Sequence, residues 1–148
     1  MSSFAKVGSH ASALRALSVF LGLFLIFMGL DKIDWLMDDG LLTSRLEEWR
    51  ASAPPMSRWY LDTIAIPGAP LFARLVLLGE LAAGAAMVCG LRVRLAAAVS
   101  LLMVLNFHVA SDVLFHYSYL TNAYGPPVLG GLLALAIGGT RLPFSLSK

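Results

Sequence analysis

The chain reads as all-α: a polytopic membrane four-helix bundle with a long outer connection that carries a short amphipathic interfacial helix. Three observations lead to this reading. Four apolar stretches, 11–30, 71–91, 95–120 and 124–142, fill most of the 148 residues, and a bilayer crossing takes ~20 mostly apolar residues. Hydrophobic residues make up 58% of the chain and charged residues only 14%, whereas an ordinary soluble domain has about 25% charged residues. Finally, a few polar residues stand inside the stretches where lipid should be: Glu80 in the second, and Asn106, His108, Asp112 and His116 in the third. The lengths leave room for a single transmembrane domain over residues 1–148 and little else.

The first stretch has a basic flank, Lys6 and Arg15, like a signal peptide. Its apolar run is too long for that, since a secretory apolar region has ~7–15 residues. It ends in Gly29-Leu30-Asp31-Lys32 rather than at a small-residue cleavage site, so a retained helix is expected. Gly22 and Gly29 lie seven apart, near one face, where they would let a neighbouring helix approach closely. Trp35 fits an anchor at the membrane surface.

The connection over 31–70 has its own pattern. Ser44-x-x-Glu47 is a capping box that opens a short helix from Arg45 to about Ser52, with Leu42, Leu46 and Trp49 on one face. Ala53-Pro54-Pro55 stops it. A second segment, 57–64, has aromatics suited to lipid headgroups, and Pro67-Gly68-Ala69-Pro70 turns the chain into the second span. The expectation is an amphipathic cap on the outer membrane surface. The second and fourth spans carry small-residue ladders, Ala82, Ala86, Gly90 and Gly130, Ala134, Gly138. Such ladders pack helices within one bundle, or serve a homo-oligomer or a protein partner.

Orientation follows from Lys and Arg. With the N-terminus inside, the inner segments hold Lys6, Arg15, Arg92, Arg94, Arg141 and Lys148 and no carboxylate, and the outer side holds Lys32, Arg45, Arg50, Arg58 and Arg74. Six against five is a small bias, but the short basic loop 90–94 resists translocation. Both termini are therefore expected in the cytoplasm. A basic inner face suits anionic lipid headgroups rather than nucleic acid.

Glu80 needs a partner or a proton at that depth, because a charge at a bilayer centre costs at least ~2.5 kcal/mol. Asn106 and His108 are the expected donors. Glu80 then either exchanges protons with a quinol or holds the second and third spans together by a hydrogen bond. His108, Asp112 and His116 are four apart and form one stripe on a helix. The two histidines are about 12 Å apart along the axis, too far for one ordinary metal ion, so no metal site is expected. The stripe reads as a polar track to the outer surface, serving as a proton relay, as a quinol headgroup site, or merely as side chains reaching for water. Cys89 is the only cysteine, which excludes an intrachain disulfide or a dithiol relay. Phosphate-binding glycine loops, nucleophile elbows and paired cysteine clusters are absent from the sequence.

The segments Phe72-Ala73-Arg74-Leu75, Gly79-Glu80-Leu81-Ala82-Ala83-Gly84, Gly90 to Ala97 and Leu105-Asn106-Phe107, with Phe27 to Lys32 at the end of the first span, resemble the DoxX/DoxD family over about 14–116. Arg15, Gly29, Lys32, Glu80, Gly84, Gly90, Arg94 and Asn106 match the family's pattern. The resemblance implies a four-helix bundle in a bacterial or archaeal cytoplasmic membrane and a link to quinone and to sulfur or redox-stress metabolism. The family includes a membrane subunit of thiosulfate:quinone oxidoreductase. On this basis the chain is expected to be a membrane subunit of a quinone-linked oxidoreductase that anchors a redox partner. Glu80 and His108 would act in proton transfer, and Asn106, Asp112 and His116 would contact quinone, the one expected cofactor. The alternative is a non-catalytic anchor or accessory subunit of a larger complex.

Overall fold

Three helices are long and apolar enough to cross a membrane, and they pack with a fourth, shorter one. The computed structural model describes residues 2–38 and 40–146. Lys148 and the side chain of Lys6 lie outside the described residues. Helix α1 spans Ser2–Leu30, with its apolar part at Gly8–Leu30. It starts earlier than expected because nothing before Ala11 breaks an established helix, and propagation is easy once a helix has nucleated.

The connection holds helix α2 (Gly40–Ser52) and helix α3 (Pro55–Tyr60), which runs on through a widened π-turn over Leu61–Ala65. The capping box does not open α2. That helix starts five residues before Arg45, where Asp38 Oδ1 accepts the Gly40 N–H at 2.9 Å, and Ser44 lies inside it. Leu42 and Leu46 are buried and Trp49 half-buried, as their spacing predicts; Ala53 and Pro54 separate α2 from α3, which Pro55 opens.

Helix α4 (Ala69–Cys89) and helix α5 (Val93–Ala110) form a hairpin. Gly90, at φ 72°, ends α4. Leu91 N–H reaches back to Ala86 O and Gly90 N–H to Met87 O, the double bond of a Schellman turn. The third span is shorter than the apolar stretch 95–120. Ser111 bonds back to Phe107 O through both its amide and its hydroxyl, and Asp112 takes a left-handed φ of 60°. Aspartate tolerates that conformation better than most residues, so the chain leaves the helix there and continues in short 3-10 turns, Val113–Phe115 and Tyr117–Thr121. Helix α6 (Pro126–Gly138) is also shorter than the stretch 124–142. Its 13 residues rise about 20 Å, against a ~30 Å hydrocarbon core. Pro126 and Pro127 start it, and the Gly138-Gly139 pair ends it.

The main core joins all four helices through Leu25, Met87, Ala97, Leu132 and Leu135. Helices α1 and α4 make the closest pair. A Cβ on Gly22 would lie 2.8 Å from Gly84 O, and one on Gly84 would lie 2.7 Å from Gly22 O, so the two backbones touch. The expected ladders contribute less: Ala82, Gly130 and Ala134 are exposed, and Gly138 meets Leu14. A second core lies under the connection, where Leu42, Leu46, Leu61 and Ala65 pack on Ala69, Ala73 and Ala110, with Trp35, Trp49 and Phe107 beside them. Outward-facing Phe20, Phe27, Leu71, Leu78 and Leu102 leave the helix exteriors apolar, as lipid contact requires. The chain is an integral membrane protein.

Candidate functional site

The only carboxylate of α4 faces α1, not α5. Past the end of α1 the chain turns, and Lys32 reaches back along it. Its Nζ donates to Met28 O at 2.8 Å and to the two Glu80 oxygens at 3.0 and 3.2 Å. The two side chains are 11% and 9% exposed. The ammonium thus sits where the last carbonyls of α1 favour a cation, with the Trp35 ring centroid 5.9 Å away. Gly29 leaves the room for this, since a Cβ there would come within 2.9 Å of Leu81. The expectation that Asn106 or His108 pairs with Glu80 is corrected: the donor is Lys32, 48 residues away in sequence.

This ion pair lines a cleft of about 440 Å³. Phe24 and Met28 of α1, Phe107 and His108 of α5, and Arg45 and Trp49 of α2 form its other walls. His108 is partly buried, with Nδ1 3.1 Å from the Tyr119 hydroxyl and the two rings edge to face. Burial pushes the Tyr119 phenol above its ordinary value, so it keeps its proton at neutral pH. When that hydroxyl donates to Nδ1, the neutral imidazole carries its own proton on Nε2.

The other sequence-named residues go elsewhere. Asn106 is two residues from His108, about 200° around the helix. It faces a second, mostly apolar cleft of about 580 Å³ between α4 and α5, lined by Phe72, Val76, Leu102 and Met103. There its Oδ1 accepts the Tyr60 hydroxyl at 2.5 Å. Asp112 and His116 lie past the end of α5, so the three-residue stripe does not form. They pair with each other, Nε2 to Oδ2 at 3.3 Å, and His116 is exposed. Neither lines the ion-pair cleft. Among the described residues, no three His, Cys, Asp or Glu side chains converge on one point. Sequence reasoning missed Lys32 as a site residue, together with Arg45, Trp49 and Tyr119. The available signal was a lone cation just past an apolar span, at the end of the molecule nearest an unpaired carboxylate.

The positions that carry the family resemblance, Asn106 apart, build joints or turns between helices. Arg15 donates to Met87 O and Val88 O, the last carbonyls of α4, at 2.8 and 2.6 Å. Gly29 and Gly84 allow close approach, Lys32 and Glu80 pair, Gly90 caps, and Arg94 Nε donates to Ala136 O at 3.0 Å. The DoxX family model matches residues 13–117, which contain all these positions. The chain belongs to the DoxX family. No curated relative and no solved structure matches it. Of these positions, Arg15, Gly29, Lys32, Glu80 and Gly84 lie on the α1–α4 seam of this DoxX chain, with the ion pair on the same seam.

Proposed function

We propose that this DoxX chain is the membrane subunit of a quinone-linked oxidoreductase. The single observation that carries the reading is the Lys32–Glu80 pair in the wall of an open cleft beside His108. Two charges buried among apolar helices bring little net stability, because desolvation offsets their attraction. A pair kept there at the edge of a cavity is more readily explained by use. The cavity is within the size range of small-molecule sites, and its donor set fits a quinone. His108 and Arg45 present N–H groups suited to a carbonyl oxygen, and the rings of Phe24, Trp49 and Phe107 suit a flat headgroup. Reduction of a quinone consumes two protons with two electrons, and the electrons come from a redox centre on the partner. The chain's own work is to hold the headgroup and to pass protons between Glu80, His108 and the cleft mouth.

In this reading α6 completes a four-helix membrane bundle with both termini in the cytoplasm. Helices α2 and α3 lie at the outer surface, with exposed Met56 and Trp59 among the headgroups, and the partner docks over them. A second reading, a non-catalytic accessory subunit, draws on the exposed Gly130 and Ala134 of α6, where a Cβ on Gly130 would meet nothing within 4 Å. Turnover decides between them. His108→Ala should lower quinone-dependent activity in native membranes by about 100-fold at unchanged protein level, and Glu80→Gln should do so per folded protein, since it also strands Lys32 and costs stability. Full activity in both variants would leave only the accessory role.

A further inference from the structure

The opposite end of the molecule holds a different kind of cavity, unused by the reading above. After α6 the tail 139–146 folds back across the α4–α5 turn. Leu142 is buried in the main core, and Leu146 N–H donates to Cys89 O at 3.2 Å. Ser145 packs on Gly90 so closely that a Cβ there would lie 2.5 Å from its Oγ. Between tail and turn lies a cleft of about 360 Å³. Arg92, Arg94 and Arg141 line it, together with Thr140 and Ser145, and none of the described lining residues is acidic. Arg94 spends its Nε on Ala136 O, which holds the guanidinium in place and leaves its terminal nitrogens available to a ligand. The Ser145 Oγ is buried with no hydrogen-bond partner among the described residues.

Clustered guanidiniums, an unpartnered hydroxyl and no carboxylate form a donor set for a phosphate group, which arginine binds through paired N–H bonds. The surroundings say where that phosphate comes from. The cleft lies at the ends of two membrane-crossing helices, and Leu91, Leu95, Phe144 and Leu146 stand exposed around it. Apolar side chains there suit acyl chains, and a headgroup carrying its own cation would find no carboxylate among the described residues of the cleft wall. We propose that this cleft binds the phosphate of an anionic phospholipid, held by Arg94, Arg141 and Ser145. Basic pockets between transmembrane helices are suited to such headgroups.

Native mass spectrometry of the full-length wild-type chain tests this. The chain is released from micelles that hold equal amounts of phosphatidylglycerol and phosphatidylcholine. The expected result is about tenfold preferential retention of phosphatidylglycerol, on the scale of one to two arginine–headgroup contacts. Arg141→Gln combined with Ser145→Ala should remove the preference, Arg141→Lys should keep most of it, and Arg58→Gln at the far end should leave it intact. Equal retention of the two lipids by the wild type overturns the proposal, whatever the variants do. So does a preference that survives the double change. Displacement of the lipid by low millimolar inorganic phosphate would assign the cleft to a free anion and overturn the lipid assignment.

Discussion

At the scale of single residues, the account turns on what Lys32 and Glu80 do to each other. Removing one partner leaves a buried charge alone, which costs about 3–5 kcal/mol, whereas replacing both with apolar groups is often neutral. Lys32→Met should therefore destabilise the protein in detergent by about that amount, and Lys32→Met with Glu80→Leu should recover most of the loss while staying inactive. Denaturant titration of the three proteins checks it. A double variant as unstable as the single would mean that the pair itself holds α1 to α4. The sequence marked Glu80 as a misfit but not its partner. Glu80 sits in an apolar run, so its need was legible. Lys32 sits among Asp31, Ile33 and Asp34, where a cation looks like an ordinary stop signal at a helix end. Which way α4 turns its carboxylate is set by helix packing, not by local pattern.

At the scale of elements, the seam between α1 and α4 positions the site. Gly22 and Gly84 place the two backbones in contact, and the ion pair closes the same seam seven residues further along α1 from Gly22 at Gly29. At Gly22 and at Gly84 the obstructing atoms include the other glycine's backbone oxygen, which no side-chain rotation can move aside. Gly22→Leu or Gly84→Leu should cost more than the ~1–3 kcal/mol of ordinary overpacking, with loss of folded protein in fluorescence-detected size exclusion. Gly130→Leu, in open space on α6, should be tolerated by the isolated chain. The spans, the hairpin turn and the proline stops were legible from apolar runs and Gly or Pro punctuation. The end of α5 was not. His108, Asp112 and His116 keep helical spacing on paper, but Ser111 bonds its own helix and Asp112 turns left-handed. Two residues thus undo a stripe that a count of positions would extend.

At the scale of the whole molecule, two clefts flank Phe107, which lines both. One is apolar and bounded by exposed Leu75 and Leu102; the other holds the charges. The third cleft, with its arginines, lies at the opposite end. The molecule thus separates a charged site near the connection from a basic face near the chain ends, an arrangement already visible in the absence of Asp and Glu after Asp112. The division between Asn106 and His108 was open to sequence reasoning as well, since residues two apart on a helix face nearly opposite ways. The most direct test of the central claim is photo-crosslinking with a quinone bearing an azide on its ring, in native membranes, with the labelled peptide mapped by mass spectrometry. The account predicts labelling on Phe24–Met28 and Val104–His108, competed by unmodified quinone and lost in Glu80→Gln. Labelling confined to the Tyr60–Asn106 cleft, or unchanged by Glu80→Gln, would contradict it.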